Sequence, residues 1–450
     1  MNLSPDKSQR ATSIVRILRE KGHSAYLAGG CVRDLLLGRD PADYDVATSA
    51  TPQEVMRLFP RTYAVGAQFG VVLVGSTGAG DESGSDAVEV ATFRSDGAYS
   101  DGRHPDQVQF SQEARQDVQR RDFTINGLLL DPVDGKVLDY VGGREDLKLG
   151  IIRTIGDPHE RFSEDKLRLL RAVRFAARFG YKIEDQTFRA IRELAPQIHQ
   201  VSRERVRDEI LKMLTEGGAR RAFELLNQTS LLEQVLPEIK NMQGVEQPPQ
   251  FHPEGDVWIH TLLLLEGLPA GCSNTLALGA LLHDVGKPPT FRRAPDRIRF
   301  DQHAEIGTRM AEEICGRFRL SNQETEQVSA LVANHMRFGD VERMKDSTFK
   351  RFVRMPQFEE HLELHRLDCM GSHRGLELYE FTREKLRKLP PEQIRPQPLI
   401  TGDDLIAAGL QPGPLFKELL AAVEDAQLDG TILTKEEALA LVREKTKELA

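Results

Sequence analysis

The chain changes character near residue 160, and no single sheet or helical bundle accommodates both parts. Up to that point, short β-rich apolar segments at 25–27, 44–47, 70–74 and 87–93 alternate with helical periodicity at 11–21 and 32–37. The Gly/Ser/Asp-rich residues 75–86 and the polar, glycine-containing residues 95–105 read as loops. Beyond residue 160 the apolar pattern becomes helical and strand signals thin out. A Pro/Gln-rich stretch at 243–253 marks a boundary, and Pro390, Pro391, Pro396 and Pro398 mark a linker. The 450 residues are enough for about three domains. The expected order is an α/β head with a mixed sheet at 1–150, an all-α neck and body at 151–245, an all-α domain at 246–390 and a helical tail at 391–450.

With 40% hydrophobic and 29% charged residues, the chain has the balance of an ordinary globular protein. Residues 1–20 lack the apolar run of a signal peptide, and no segment is long and apolar enough to cross a bilayer, so no membrane partner is expected. Cys31, Cys272, Cys315 and Cys369 are scattered without metal-binding spacing, which fits a reducing, cytoplasmic setting. The net charge of −9 conceals an asymmetry: residues 161–221 hold 15 Lys or Arg against 9 Asp or Glu. That basic helical stretch suits either an RNA-tracking surface or a solvated face laced with i,i+4 ion pairs, and charge alone favours neither. The oligomeric state cannot be read from the sequence.

Chemistry enters at Gly29 and Gly30, which stand at a strand end directly before a helix. Glycines there let the backbone approach a phosphate, and the helix start offers unpaired N–H groups. Arg33, in the first turn, can add a bidentate contact to a triphosphate. Downstream, Asp43 and Asp45 are two apart, so on a strand both carboxylates point to one face and converge. Side-by-side carboxylates repel unless a cation separates them, and Mg²⁺ takes such hard oxygen ligands. Each signal alone is weak, since a plain turn and a surface strand with exposed aspartates are the commoner origins.

In their order, these residues resemble the head of the polymerase-β-like nucleotidyltransferases, specifically the bacterial and eukaryotic class of CCA-adding enzymes and their poly(A) polymerase relatives. The resemblance continues through Arg120-Arg121-Asp122-Phe123-Thr124-Ile125-Asn126 and the run from Glu164-Asp165-Lys166-Leu167-Arg168 to Arg171 and Arg174, so it spans residues 25–220. It implies Mg²⁺ on Asp43 and Asp45, with triphosphate and ribose held by Gly29, Gly30, Arg33, Arg121, Asp122 and Asn126. It further implies that Asp165 and Arg168 read the incoming base in place of a template. Three residues apart on a helix, those two would be surface neighbours, whereas Arg174 would face about 180° away from Asp165. Arg171 and Arg174 are therefore expected to serve phosphate or fold stability. Residues 89–99 resemble the loop such enzymes use in switching from CTP to ATP. Glu89 is either a third carboxylate near the metals or an ion-paired strand residue, the second being the commoner case. Gly127 departs from the family's usual Ala, and the sequence after Gly66 lacks the basic pair of bacterial poly(A) polymerases, which favours tRNA as partner.

A second constellation follows: His260, His283-Asp284, His303, His335 and Asp368, on expected helices. Imidazoles beside carboxylates are good divalent-metal ligands. Their order resembles the HD phosphohydrolase superfamily over residues 251–389. That resemblance implies a divalent transition metal on His260, His283, Asp284 and Asp368, with His303 and His335 extending the site to a second ion. The sequence thus leads to an expected enzyme that adds CCA to tRNA from CTP and ATP, with an accessory phosphohydrolase domain. Its rivals are an enzyme adding only the terminal A, a poly(A) polymerase, and an HD phosphohydrolase whose head merely binds RNA.

Overall fold

The head is organised by a seven-stranded sheet whose middle strands carry the chemistry. Along the chain run β1 (Ala25–Ala28), β2 (Asp45–Thr48), β3 (Thr62–Tyr63), β4 (Val71–Val74), β5 (Val88–Thr92), β6 (Arg94–Asp96), β7 (Val108–Phe110), β8 (Leu128–Leu130) and β9 (Val137–Asp139). The sheet order is β3-β4-β5-β2-β1-β8-β9, with β6 and β7 paired separately. Only β2 and β5 run parallel, which makes the sheet mixed as expected. The helix Lys7–Glu20 lays Ala11, Ile14, Val15 and Leu18 against β1 and β2, an apolar stripe at helical spacing. The computed structural model describes residues 7–64, 66–75, 87–96, 108–250 and 252–449. Residues 76–86 and 97–105 of the two expected loops lie outside these, whereas Ser95 and Asp96, expected in the second loop, belong to β6.

Local sequence explains where the helices start. Thr51 and Glu54 form a reciprocal capping box with Pro52 at the first position of Pro52–Leu58. Asp157 caps Pro158–Glu164 by accepting from the Glu160 N–H. The helix Leu167–Phe179 buries Leu169, Leu170, Ala172, Val173, Ala176 and Ala177, and ends at Gly180 in the left-handed region. From residue 151 to Lys240 the structure is helical, apart from Ile151–Ile152 pairing with Lys182–Ile183.

Contacts divide the chain into two units, Met1–Lys240 and Asn241–Ala450. In the second, Asn274–Leu282 is buried on every side, as its uninterrupted apolar run requires, and it packs on Asn322–Asn334 and Phe358–Gly371. A two-stranded hairpin, Arg292–Arg293 with Ile298–Arg299, is the exception to its helical character among the described residues. The terminal helices Gly402–Ala407, Pro414–Leu428 and Lys435–Leu449 share a small core of Ile400, Leu405, Leu419, Val423, Ala438 and Val442. They are tied to the rest of this unit by Glu424, which pairs with Arg351 and Arg354 at 2.6 Å each. No helix among the described residues is long and apolar enough to cross a membrane.

Candidate active site

One cavity of about 760 Å³ gathers the candidate Mg²⁺ and nucleotide residues of the head and neck: Gly29, Gly30, Arg33, Asp43, Asp45, Arg121, Asp122, Asn126, Asp165, Arg168, Arg171 and Arg174. Nine Arg or Lys line it against five Asp or Glu, so its field favours a polyanion. Asp45 opens β2, whereas Asp43 precedes the strand, is largely exposed and pairs with Lys7 at 2.7 Å. The parallel register sets Asp45 beside Glu89 of β5. Burial, then the Glu89 charge, pushes the Asp45 carboxyl up to about 6, and burial also raises Glu89. Two crowded carboxylates that resist ionisation, beside a third, make an oxygen donor set that fits a divalent cation.

The turn residue Gly29 has φ 72° and ψ −129°, a conformation open to glycine alone. A Cβ there would stand 2.9 Å from Arg121 Nη1. Arg121 is aimed by Asp117, whose Oδ2 accepts from its Nε at 3.2 Å and its Nη2 at 2.9 Å. Asp117 also receives Arg120 and is fully buried. The sequence reading missed it, although its i,i+4 spacing to Arg121 was a usable signal. Arg205 and Lys212, which reach the cavity from the helix Arg203–Thr215, were missed as well.

A hydrogen-bonded chain runs along one wall. Arg171 donates to Asp122 Oδ2 at 2.9 and 2.6 Å, the Asn126 amide donates to Asp122 Oδ1 at 3.0 Å, and Arg33 Nη1 donates to Asn126 Oδ1 at 2.7 Å. Burial opposes ionisation of Asp122, yet the Arg171 guanidinium and the Asn126 amide hold it down to about 2. Arg33 ends the chain beside Asp34, packed over the Phe179 ring at 4.6 Å.

Asp165 and Arg168 are not two positions of one helix. Asp165 lies between Pro158–Glu164 and Leu167–Phe179, in extended backbone, and its Oδ1 accepts from the Leu167 N–H at 3.0 Å. Its Oδ2 accepts from Arg205 at 2.8 Å, while Arg168 donates to Glu164 at 2.6 Å and to the Arg161 and Arg120 carbonyls. The two side chains reach the same cavity without pairing with each other. Arg174 reaches it too, although its buried guanidinium is engaged by Glu209 at 2.7 Å and Glu216 at 3.4 Å.

The second unit brings His260, His283, Asp284, His303, His335 and Asp368 together from separate helices and helix ends. His260 Nε2 lies 3.2 Å from His283 Nε2 and 3.1 Å from Asp368 Oδ1, and His283 Nε2 lies 3.2 Å from Asp284 Oδ2. On the other side, His303 and His335 Nε2 atoms are 3.3 Å apart, and each is 3.7 Å from Asp284 Oδ1. Asp284 thus turns one oxygen to each group. His283, His303 and His335 have Nδ1 against the carbonyls of Ala280, Phe300 and Val332, which fixes Nε2 as the free lone pair. Burial lowers His335 to about 4 and lowers His303 as well, so both are neutral donors near neutral pH. This donor set fits divalent metal ions. Lys287 Nζ stands 2.7 Å from Asp284 Oδ2 and donates to Gln247 at 2.5 Å. Beside the group, a carboxylate the sequence reading passed over, Glu254, contacts both His252 and His260.

Three family models match the chain: the poly A polymerase head domain at residues 25–153, the probable RNA and SrmB-binding site of polymerase A at 180–243, and the HD domain at 257–375. The nucleotidyltransferase and HD models both imply use of divalent metals. A CCA-adding enzyme of Geobacillus sp. (strain WCH70) is 44% identical over 223 residues, covering 50% of this chain and 53% of its own. The CCA-adding enzyme of Enterococcus faecalis is 32% identical over 446 residues, 98% of this chain and 97% of its own. Among solved structures, the Bacillus stearothermophilus CCA-adding enzyme in complex with CTP superposes with a TM-score of 0.74 at 28% identity, over 99% of both chains.

Proposed function

Because the chain belongs to the CCA-adding enzyme family, we propose that it adds C, C and A to the 3′ end of tRNA from CTP and ATP without a nucleic-acid template. The observation that carries this reading is the convergence of the carboxylates, the glycine turn and the Asp165/Arg168 pair on one cation-rich cavity. Asp43 and Asp45, with Glu89 beside them, would hold Mg²⁺. When bound, the ion supplies charge neutralisation for the attacking hydroxyl and the departing pyrophosphate. Gly29 and Gly30 give the triphosphate access to the helix start, and Arg33 and Arg121 bind its oxygens. Asp122 and Asn126 face the ribose, and Arg171 holds Asp122 in place. Asp165 offers acceptors and Arg168 donors to the base edge; their outer partners lock both side chains in advance, which lowers the entropy cost of recognition. Arg174 supports this wall through its two glutamates. The basic helices after Arg161 would grip tRNA by backbone and shape, and a cytoplasmic location accords with that substrate.

The test offers purified protein four transcripts: tRNA lacking CCA, tRNA ending in C, tRNA ending in CC, and an unrelated RNA. With CTP and ATP, completion of the first three supports the reading. Extension of the CC-ended transcript alone would replace it with A addition, and homopolymer growth on the unrelated RNA with a poly(A) polymerase.

A second activity is favoured by the division of Asp284 between two imidazole groups. We assign His260, His283, Asp284 and Asp368 to one divalent transition metal and Asp284, His303 and His335 to a second, in a phosphohydrolase centre. Release of phosphate from p-nitrophenyl phosphate, lost in His283→Ala, would support it; equal rates in both proteins would exclude it.

A further inference from the structure

The segment before the helix Val257–Gly267 is rich in Pro and Gln and reads as a boundary in the sequence, yet in the fold it straps the HD cluster. Asp256 accepts from the Ile259 N–H at 3.1 Å and the Gly244 N–H at 2.6 Å, closing the segment on itself. From within it, Gln247 accepts from Lys287, and Glu254 reaches His260. Glu254 Oε1 accepts from His252 Nδ1 at 2.8 Å and lies 2.8 Å from His260 Nδ1, an ion-pair contact at a nitrogen that has no hydrogen-bond partner among the described residues. The Glu254 side chain is 7% exposed, and its Oε2 is buried without a hydrogen-bond partner among the described residues. Burying a charge with one oxygen unsatisfied is costly, and packing alone gives no reason for it.

We propose that Glu254 is a positioning residue of the metal centre, holding the His260 imidazole by Nδ1 so that Nε2 faces the ion, and holding His252 at the cavity wall through the same oxygen. The inference rests on the assignment of His260, His283, Asp284 and Asp368 as metal ligands. The other three imidazoles of the cluster are oriented by backbone carbonyls, so His260 is the one whose orientation depends on a side chain. A carboxylate there also makes the ligand imidazole a better donor, as a neutral amide would not. His252, on the cavity wall, has its Nδ1 committed to Glu254 and therefore its Nε2 directed elsewhere.

The test is titration of metal-stripped full-length protein with Co²⁺, read by the visible absorption of cobalt bound by nitrogen, which separates this centre from the oxygen-only head site. Glu254→Gln and Glu254→Ala are expected to weaken Co²⁺ binding by about 10- to 100-fold, with Glu254→Asp recovering part of it. Asp256→Ala removes a cap from the same segment without touching His260, so it reports the effect of loosening the strap alone and is expected to stay within about threefold of wild type. Wild-type affinity in the Glu254 variants would overturn the positioning role while leaving the metal assignment intact. An equal loss in Asp256→Ala would also overturn it, by making the effect one of folding. A wild-type protein that gives no nitrogen-ligated cobalt spectrum would overturn the assignment and the inference together.

Discussion

Gly29 and Gly30 are adjacent glycines in one turn, yet replacing each with Ala should have different outcomes. At Gly30 the backbone is ordinary, and an added Cβ meets Arg33 Nη2 at 3.7 Å, a normal contact. At Gly29, φ 72° and ψ −129° mirror the extended region, so an L side chain costs about 1–3 kcal/mol of backbone strain. The Cβ would also sit 2.9 Å from Arg121 Nη1. The tip of an arginine usually moves cheaply, but this one is held by two hydrogen bonds to buried Asp117. Displacing it should cost one charge-assisted contact to the triphosphate, about 1.5–3 kcal/mol, or about 10- to 150-fold in kcat/KM. The assay is steady-state incorporation of CTP into tRNA lacking CCA, with a thermal melt of each variant. Gly29→Ala should lose both rate and stability, and Gly30→Ala should stay near wild type. Equal behaviour of the two variants, or a Gly29→Ala protein that matches wild type, would rule out this role of Gly29.

Asp122 gives a pH prediction. Its folded pKa lies below the unfolded value, so its stabilisation is complete above about pH 4 and is lost as pH falls towards 2. The depression from 3.8 to about 2 corresponds to about 2 kcal/mol. Asp122→Asn should therefore be less stable than wild type at pH 7, with the gap closing on acidification in calorimetric scans; a gap that is constant with pH would contradict it. Asp284→Ala should remove both transition-metal equivalents at once by elemental analysis, whereas His303→Ala should remove one. In the same unit, Gly286→Ala would place a Cβ 2.1 Å from the His303 carbonyl oxygen, so its melting transition should fall by several degrees and its metal content with it.

What the sequence revealed and concealed follows from the range of the forces involved. The glycine turn before a helix and Asp45 at a strand start were legible from local sequence, whereas Asp43 stands just ahead of the strand, and the His and Asp residues of the second unit were legible only as an ordered set whose members meet in the fold. The break at Asp165 was not legible, since Glu164 to Arg168 continues a helical pattern without Gly or Pro. The aspartate interrupts it by accepting from the Leu167 N–H, a capping signal hidden inside a charged run. Arg174 was expected to face away from Asp165 and to serve phosphate or fold stability; it lines the cavity with its guanidinium held by Glu209 and Glu216, 35 and 42 residues away, partners that no local pattern reveals. Ser95 and Asp96 looked like loop because polarity marks turns, yet they pair with Gln109 and Val108. Glu254 escaped notice for a similar reason: Pro and Gln around it suggested a linker, and its partner His260 becomes its neighbour only after the segment folds back.

If a single protein cavity selects two cytidines and then an adenosine with no template strand, the 3′ ends of its products are set by the protein alone. The most direct measurement is to incubate the protein with tRNA lacking CCA in the presence of all four nucleoside triphosphates and Mg²⁺, and to sequence the 3′ ends produced. Ends that terminate in CCA and grow no further are the expected result. Ends that carry U or G, or that run on into an adenosine tract, would contradict it.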